Sequence, residues 1–149
     1  MKSYSKKVLH IKKNDISISF IDLDVIDFSF KQFVFNVVKH LNIAKGSIDI
    51  QFVSKQFIQN MHTKYLNNPN VTDVISFNLG DQSNLMADIY ICVYQAKKNA
   101  SLYQVTLINE LKRLIVHGLL HCMGYNDIKE TERKVMIDLQ ENILSECDS

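Results

Sequence analysis

The chain has 149 residues, of which 46% are hydrophobic and 22% are charged. These proportions are close to the globular average and exclude a disordered chain. Seventeen basic and sixteen acidic side chains leave a formal net charge of +1, so no global field attracts nucleic acid. A nucleic-acid partner would therefore need a local basic patch.

The whole-chain pattern predicts one domain, over residues 1–149, that does not cross a membrane. No apolar run approaches the roughly 18 residues of a membrane span. The lysine-rich segment from Met1 to Ile11 lacks the apolar stretch of a secretory signal, which predicts a cytoplasmic protein. Three widely spaced cysteines form no CxxC pair and are expected to be reduced, packed thiols: Cys92, Cys122 and Cys147.

Hydrophobic periodicity predicts intermixed strands and helices. In chain order these are a strand at Ile16–Phe20, a helix at Phe30–Leu41, a strand at Ile48–Phe52, a helix capped by Ser54, a short strand at Val74–Phe77 and a strand at Ile89–Val93. Three further helices follow, at Tyr94–Leu102, Thr106–Met123 and Glu130–Leu144. The predicted fold is a mixed α/β, or α+β, domain: a small mixed sheet of about four strands covered by helices, with a helical C-terminal third.

The helix predicted from Thr106 to Met123 is apolar almost all round and should be buried. At about 100° per residue, its polar side chains fall within about 40° of a common direction and form a narrow seam. The seam consists of Glu110, Arg113, His117 and His121. It must face a polar interior or a cleft.

His117 and His121 stand four residues apart, a spacing that suits two imidazole ligands of one metal ion. Gly124 can turn the chain so that Asp127 returns as a third ligand. Two imidazoles and a carboxylate, with a fourth position for water, are typical of catalytic zinc, although nickel, iron or manganese also accept these ligands. Cys122 points about 140° away from His117 and is expected in the core.

Each of these assignments has a structural alternative. The two histidines can be hydrogen-bonded core residues. Asp127 can cap the last helix, with Glu130 in capping-box register. Glu110 lies about 10 Å along the helix axis from His117, too far to bind the same ion.

Several other polar residues are predicted to have no catalytic role. The three remaining histidines are expected on the solvated surface: His10, His40 and His62. Asp73 and Asp88 are strand-end carboxylates that are expected to bond backbone amides.

The motif HGLLHCMGYND at residues 117–127 resembles that of the YbeY family of ribosomal RNA maturation endoribonucleases. Two further segments are similar to this family. Within Tyr65 to Phe77 the matching residues are Thr72, Asp73, Val74, Ser76 and Phe77, and in the following strand they are Asp88 and Ile89. The resemblance implies a metal-dependent RNase that cuts single-stranded RNA, acts in small-subunit ribosomal RNA maturation and ribosome quality control, and has the ribosomal small subunit as its partner.

Three positions depart from the family pattern. Asp127 stands where the third ligand is usually a histidine, which lowers the net charge of the site by one and makes the metal a poorer Lewis acid. Leu66 replaces an arginine of the family that is expected to handle phosphate, and Ala87 replaces a glycine. We hypothesise that Arg113, one turn before His117, substitutes for the missing arginine as a phosphate contact. The alternative is that Arg113 pairs with Glu110 or Asp127.

Two other functional classes compete with the RNase. The zinc-binding motif of one class of metallopeptidases also contains two histidines four residues apart. That motif carries a glutamate as general base directly after the first histidine, where this chain has Gly118. A non-catalytic ribosome-associated factor with a structural metal is favoured by Leu66 and by the modest net charge.

Overall fold

The computed structural model describes residues 8–13, 15–21, 28–81 and 83–148, which form one five-stranded sheet and five helices. In chain order the elements are β1 (Val8–Lys13), β2 (Asp15–Ile21), α1 (Phe28–His40), β3 (Lys45–Val53), α2 (Lys55–Leu66), β4 (Val74–Asn78), β5 (Leu85–Cys92), α3 (Val93–Tyr103), α4 (Leu107–Cys122) and α5 (Glu130–Cys147). The predicted mixed α/β domain with a helical C-terminal third is confirmed.

The strand order is β1-β2-β3-β5-β4. The three central strands are parallel, whereas β1 and β4 pair antiparallel at the two edges. The predicted sheet of about four strands did not include β1. The lysines of β1 interrupt the apolar alternation that indicates a strand. Val93 begins α3 and is not the end of β5.

The main core lies between one face of the sheet and the helices α1, α4 and α5. The prediction of a buried α4 is confirmed, since its apolar side chains are almost fully enclosed. Gly118 lies against the sheet: a Cβ built at this position would be 3.0 Å from Ile89 Cγ2 and 3.3 Å from Val74 Cγ2. This close approach places the adjacent seam beside β4.

The opposite face of the sheet is only partly covered, by α2 and a small cluster around Ile58, Ile75 and Cys92. Asp49 and Asp88 are direct cross-strand partners on this face. The prediction that Asp88 bonds backbone amides is wrong, because its side chain meets the carboxylate of Asp49 instead.

The cysteines and the helix lengths agree with the whole-chain predictions. All three cysteines are free and buried. Within the described ranges, no helix combines the length and apolar character needed to span a membrane.

Candidate metal centre

The turn after α4 brings Asp127 back to the helix. Helix α4 ends at Cys122, and Gly124 adopts the left-handed conformation, with φ of 98°. The Tyr125 amide donates to the Leu120 carbonyl at 3.1 Å, which closes the turn. The predicted reversal at Gly124 is confirmed, and it places the Asp127 carboxylate beside the seam.

Three donor atoms converge at the C-terminal end of α4. His117 Nε2 and His121 Nε2 are 3.1 Å apart, and Asp127 Oδ2 lies 3.6 Å from the first nitrogen and 3.4 Å from the second. Tetrahedral zinc with bonds of 2.0–2.1 Å separates its ligand atoms by about 3.3 Å. Among the described residues, these three form the only cluster of at least three potential ligands with donor atoms within 4.8 Å of one another.

The hydrogen bonds of the two rings determine which nitrogens carry protons. His121 Nδ1 is 3.1 Å from the Tyr125 carbonyl oxygen, and His117 Nδ1 is 2.9 Å from Gln140 Oε1. Both oxygens are acceptors, so each Nδ1 carries a hydrogen, and in the neutral form of each ring Nε2 presents a lone pair. Burial lowers the pKa of His117, with the bond to Gln140 acting in the opposite direction, which favours the neutral ring.

With both rings neutral, no proton joins the converging atoms. Two lone pairs face each other at 3.1 Å with a carboxylate oxygen beside them. Without a cation these electron pairs repel one another, so the arrangement suits a divalent cation. The side chains of His117, His121 and Asp127 are 22%, 30% and 43% exposed, so a fourth position is open to water or substrate.

The alternative role of Asp127 as a helix cap is wrong. The N-cap of α5 is Lys129, and no side chain caps this helix. Asp127 instead uses its backbone carbonyl to accept from Arg133 Nε at 3.2 Å, which leaves its carboxylate directed at the histidines.

Gln140 is a site residue that the sequence analysis missed. Its side chain is 2% exposed and fixes the orientation of His117. A glutamine on an amphipathic helix is ordinarily a surface residue, which is why it was overlooked. Gln140 lies four residues after Met136 and three before Ile143, in the buried stripe of α5. This helical spacing is the sequence feature that indicates its burial.

Arg113 and Glu110 form an ion pair at the other end of the seam. Arg113 Nε donates to Glu110 Oε2 at 3.0 Å, and a second bond joins Arg113 Nη2 to Glu110 Oε1. Burial opposes the charge of Arg113, but its bonds to Glu110 raise its pKa. The predicted pairing of Arg113 with Glu110 is confirmed, and its phosphate contact stays a prediction.

The network continues through Asn99 to β4. Asn99 Nδ2 donates to Glu110 Oε1 at 3.3 Å and to Asp73 Oδ2 at 3.0 Å. The prediction that the Asp73 carboxylate bonds backbone amides is wrong, because its partner is a side-chain amide.

The other polar candidates lie outside the metal centre. The Cys122 thiol is buried, which raises its pKa to about 11 despite a bond to Ser76, so it is a neutral core group as predicted. His62 is half-buried at the surface, with Nδ1 2.7 Å from the Asn70 carbonyl oxygen, so it is only partly solvated. His40 is exposed as predicted, and the side chain of His10 lies outside the described residues.

Fold and site together define a mixed α/β domain with a candidate mononuclear metal centre on one buried helix. Residues 9–148 match the family model described as Endoribonuclease YbeY, and the chain belongs to this family. The resemblance seen in the sequence is thereby confirmed.

Relatives and a solved structure support this assignment. The chain is 37% identical to Endoribonuclease YbeY of Karelsulcia muelleri over 110 residues, which covers 74% of this chain and 78% of the relative. It is 35% identical to Endoribonuclease YbeY of Treponema denticola over 144 residues, 88% of this chain and 92% of the relative. The solution structure of TM1509 from Thermotoga maritima matches with a TM-score of 0.59 and 25% identity, over 78% of this chain and 77% of that one.

Proposed function

We propose that this chain is a metal-dependent endoribonuclease that cuts single-stranded RNA, with one zinc ion held by His117, His121 and Asp127. The observation that carries the proposal is the pair of Nε2 lone pairs facing each other at 3.1 Å beside a carboxylate. Membership of the Endoribonuclease YbeY family supports the substrate class.

A metal at this position would lower the pKa of a bound water or polarise the scissile phosphodiester. The protein's own part is to fix the donors: Gln140 and the Tyr125 carbonyl hold the two rings with Nε2 directed inward. Asp127 neutralises one charge of a divalent ion, which a third histidine would not do. The Arg113 side chain is 29% exposed, so it can offer an N–H to phosphate while remaining bound to Glu110.

The physiological role that we propose is maturation of small-subunit ribosomal RNA and ribosome quality control in the cytoplasm, within a single domain over residues 1–149. RNA is the partner, and the ribosomal small subunit is the proposed setting. The near-neutral net charge means that RNA is held by the local site and not by a global field.

The test compares metal-loaded and metal-stripped protein on an unstructured RNA oligonucleotide. We expect cleavage only with metal, restored when zinc is added back, and one equivalent of metal in protein purified without added metal. His117→Ala and Asp127→Ala should lose both metal and cleavage. If Asp127→Ala retains a full equivalent at unchanged affinity, Asp127 is not a ligand.

A second test concerns Arg113. Arg113→Lys keeps the charge but loses the planar group that binds phosphate through two N–H bonds, so we expect slower cleavage at unchanged metal content. Cleavage at the wild-type rate would remove the phosphate role and leave Arg113 as a structural partner of Glu110.

A non-catalytic ribosome-associated factor with a structural metal is the competing function. Leu66, which replaces the family arginine, is 53% exposed at the end of α2 and offers phosphate no hydrogen bond. Bound metal together with RNA binding but no metal-dependent cleavage would favour this function.

A metallopeptidase is not supported. The position of its general base is Gly118, which has no group to take a proton, and a Cβ there would lie 3.0 Å from Ile89 Cγ2, so a glutamate would require Ile89 to shift.

A further inference from the structure

A cavity of about 560 Å³ lies one helical turn from the metal centre, in the groove between α4 and α5. Its walls include Tyr103 at the end of α3, Val105 from the α3–α4 connection, Arg113 from α4, and Glu141 and Leu144 from α5. Arg113 precedes His117 by four residues, about 6 Å along the helix axis. Glu141 follows Gln140, the partner of His117. The cavity is therefore in position to hold a nucleotide next to the one at the metal.

The Glu141 end of this cavity disfavours a phosphate as its occupant. Both cations in its walls are already paired, Lys112 Nζ with Asp148 Oδ1 at 2.6 Å and Arg113 with Glu110. Among the residues that the structure describes, Glu141 forms no hydrogen bond or ion pair. Glu141 is thus an uncompensated negative charge, which repels phosphate at this end of the cavity and accepts N–H donors.

Two other lining residues, Tyr103 and Arg113, suit a flat ring. The Arg113 guanidinium lies over the Tyr103 ring, with Cζ 5.6 Å from the ring centroid. Tyr103 remains 57% exposed. Nucleic-acid bases stack on both tyrosine rings and arginine planes.

We propose that this cavity binds a guanine base, with the Glu141 carboxylate accepting N1–H and N2–H while the ring stacks on Tyr103 and Arg113. Guanine is the RNA base that offers two adjacent donors on one edge. Adenine and cytosine offer one amino group beside an acceptor nitrogen, and uracil has its N–H between two carbonyls. The inference rests on the proposed function, because it makes the cavity a base-selecting subsite for RNA.

The test measures nucleotide binding without cleavage. The full chain is titrated with guanosine 5′-monophosphate and with uridine 5′-monophosphate, followed by ¹⁵N-labelled amide resonances. The two ligands share the sugar and phosphate, so any difference reports the base. We expect the guanine nucleotide to bind at least about fivefold more tightly, the lower limit for a bidentate contact. The resonances that move should lie in residues 103–113 and 141–145.

Variants assign the preference to the cavity. Glu141→Gln should reduce the guanine preference to below about twofold, since it replaces one of the two acceptor oxygens by an NH2 group that faces a donor of the base. Glu146→Gln, on the exposed side of the same helix and outside the cavity, should retain it. Tyr103→Leu should weaken binding of both nucleotides, whereas Tyr94→Leu, also on α3 but outside the cavity, should not.

Equal affinity of the wild-type chain for the two nucleotides, or no binding of either, overturns the inference. A guanine preference that survives Glu141→Gln also overturns it. Because binding is measured directly, a chain that prefers guanine but cleaves no RNA contradicts the proposed function and leaves the subsite standing.

Discussion

The two ends of α4 carry polar clusters of opposite character on the same seam. At the C-terminal end, His117, His121 and Asp127 direct electron pairs at one another with no proton between them. At the N-terminal end, Arg113 and Asn99 donate to Glu110, so donors and acceptors are matched.

This difference separates a ligand site from a structural network. A buried cluster whose donors and acceptors balance stabilises the fold without further partners. A cluster that consists of acceptors alone is incomplete until a cation binds. The balance of donors and acceptors, and not the presence of a polar seam, indicates where a metal could bind.

The largest expected effect is on the metal itself. His121→Ala removes one of three ligands and should lower metal affinity by more than about 100-fold, above the range for residues that only orient a ligand. The metal content of the variant is measured by mass spectrometry. An unchanged circular dichroism spectrum shows that the variant is folded. The matched control is His62→Ala, since His62 bonds the Asn70 carbonyl far from the cluster. If both variants keep one equivalent of metal, the assignment fails.

At the other end of the seam, a substitution should affect stability and not metal binding. Glu110→Ala leaves Arg113 without its acceptor and Asn99 with Asp73 alone, and should lower the free energy of unfolding by about 2–3 kcal/mol. The loss is smaller than for a fully buried pair because Arg113 is 29% exposed and can be hydrated. Urea unfolding measures it, with Glu146→Ala as a surface control expected within about 0.5 kcal/mol of wild type. Loss of the metal would contradict the contrast between the two ends.

Substitution of Gln140 should have an intermediate effect, and it should change metal affinity alone. Gln140→Leu removes the acceptor that orients His117 and should lower metal affinity by about 10–100-fold. Gln140→Glu keeps an acceptor at this position and should retain the affinity. Competition with a chromogenic chelator measures both variants, and an unchanged affinity in the leucine variant would show that Gln140 does not support the site.

The smallest effect is expected where like charges meet without a cation, at Asp49 and Asp88. Burial and then the charge of Asp49 raise the pKa of Asp88, so the ionised form is disfavoured in the folded chain. Stability should therefore increase as pH falls through this raised pKa. Asp88→Asn should stabilise the chain at neutral pH by about 0.5 kcal/mol, as expected for half-exposed like charges on paired strands.

The gain from Asp88→Asn should shrink as pH falls towards about 4, the pKa of an unfolded aspartate, because the wild-type repulsion is then relieved. Thermal unfolding between pH 4 and 7 measures it. A gain that stays constant over this range would rule out charge repulsion as its cause.

Local patterns were sufficient to predict most elements and the two histidines. The apolar residues of α4 and the four-residue spacing of His117 and His121 are properties of one helix, so they are readable from the sequence. Gly124 was equally informative, since its left-handed conformation is a local requirement. In contrast, β1 escaped prediction because its place at the sheet edge depends on pairing with β2.

The partners of these residues were harder to predict, because they come from distant parts of the chain. Gln140 is 23 positions from His117, and the Asp73 carboxylate that meets Asn99 is 26 positions away. Helical periodicity cannot connect such pairs. Asp127 was intermediate: its return to the helix was predictable from the turn, but the choice between ligand and cap was not.

The sequence by itself determined the fold class, the family and the two histidine positions, since these depend on periodicity and on a contiguous motif. Only the tertiary structure decided that Asp127 faces the histidines, that Arg113 is bound to Glu110, and that Gln140 holds the ring of His117. The physical reason is that the hydrogen bonds that orient these side chains depend on which helix faces become neighbours when α4 and α5 pack together.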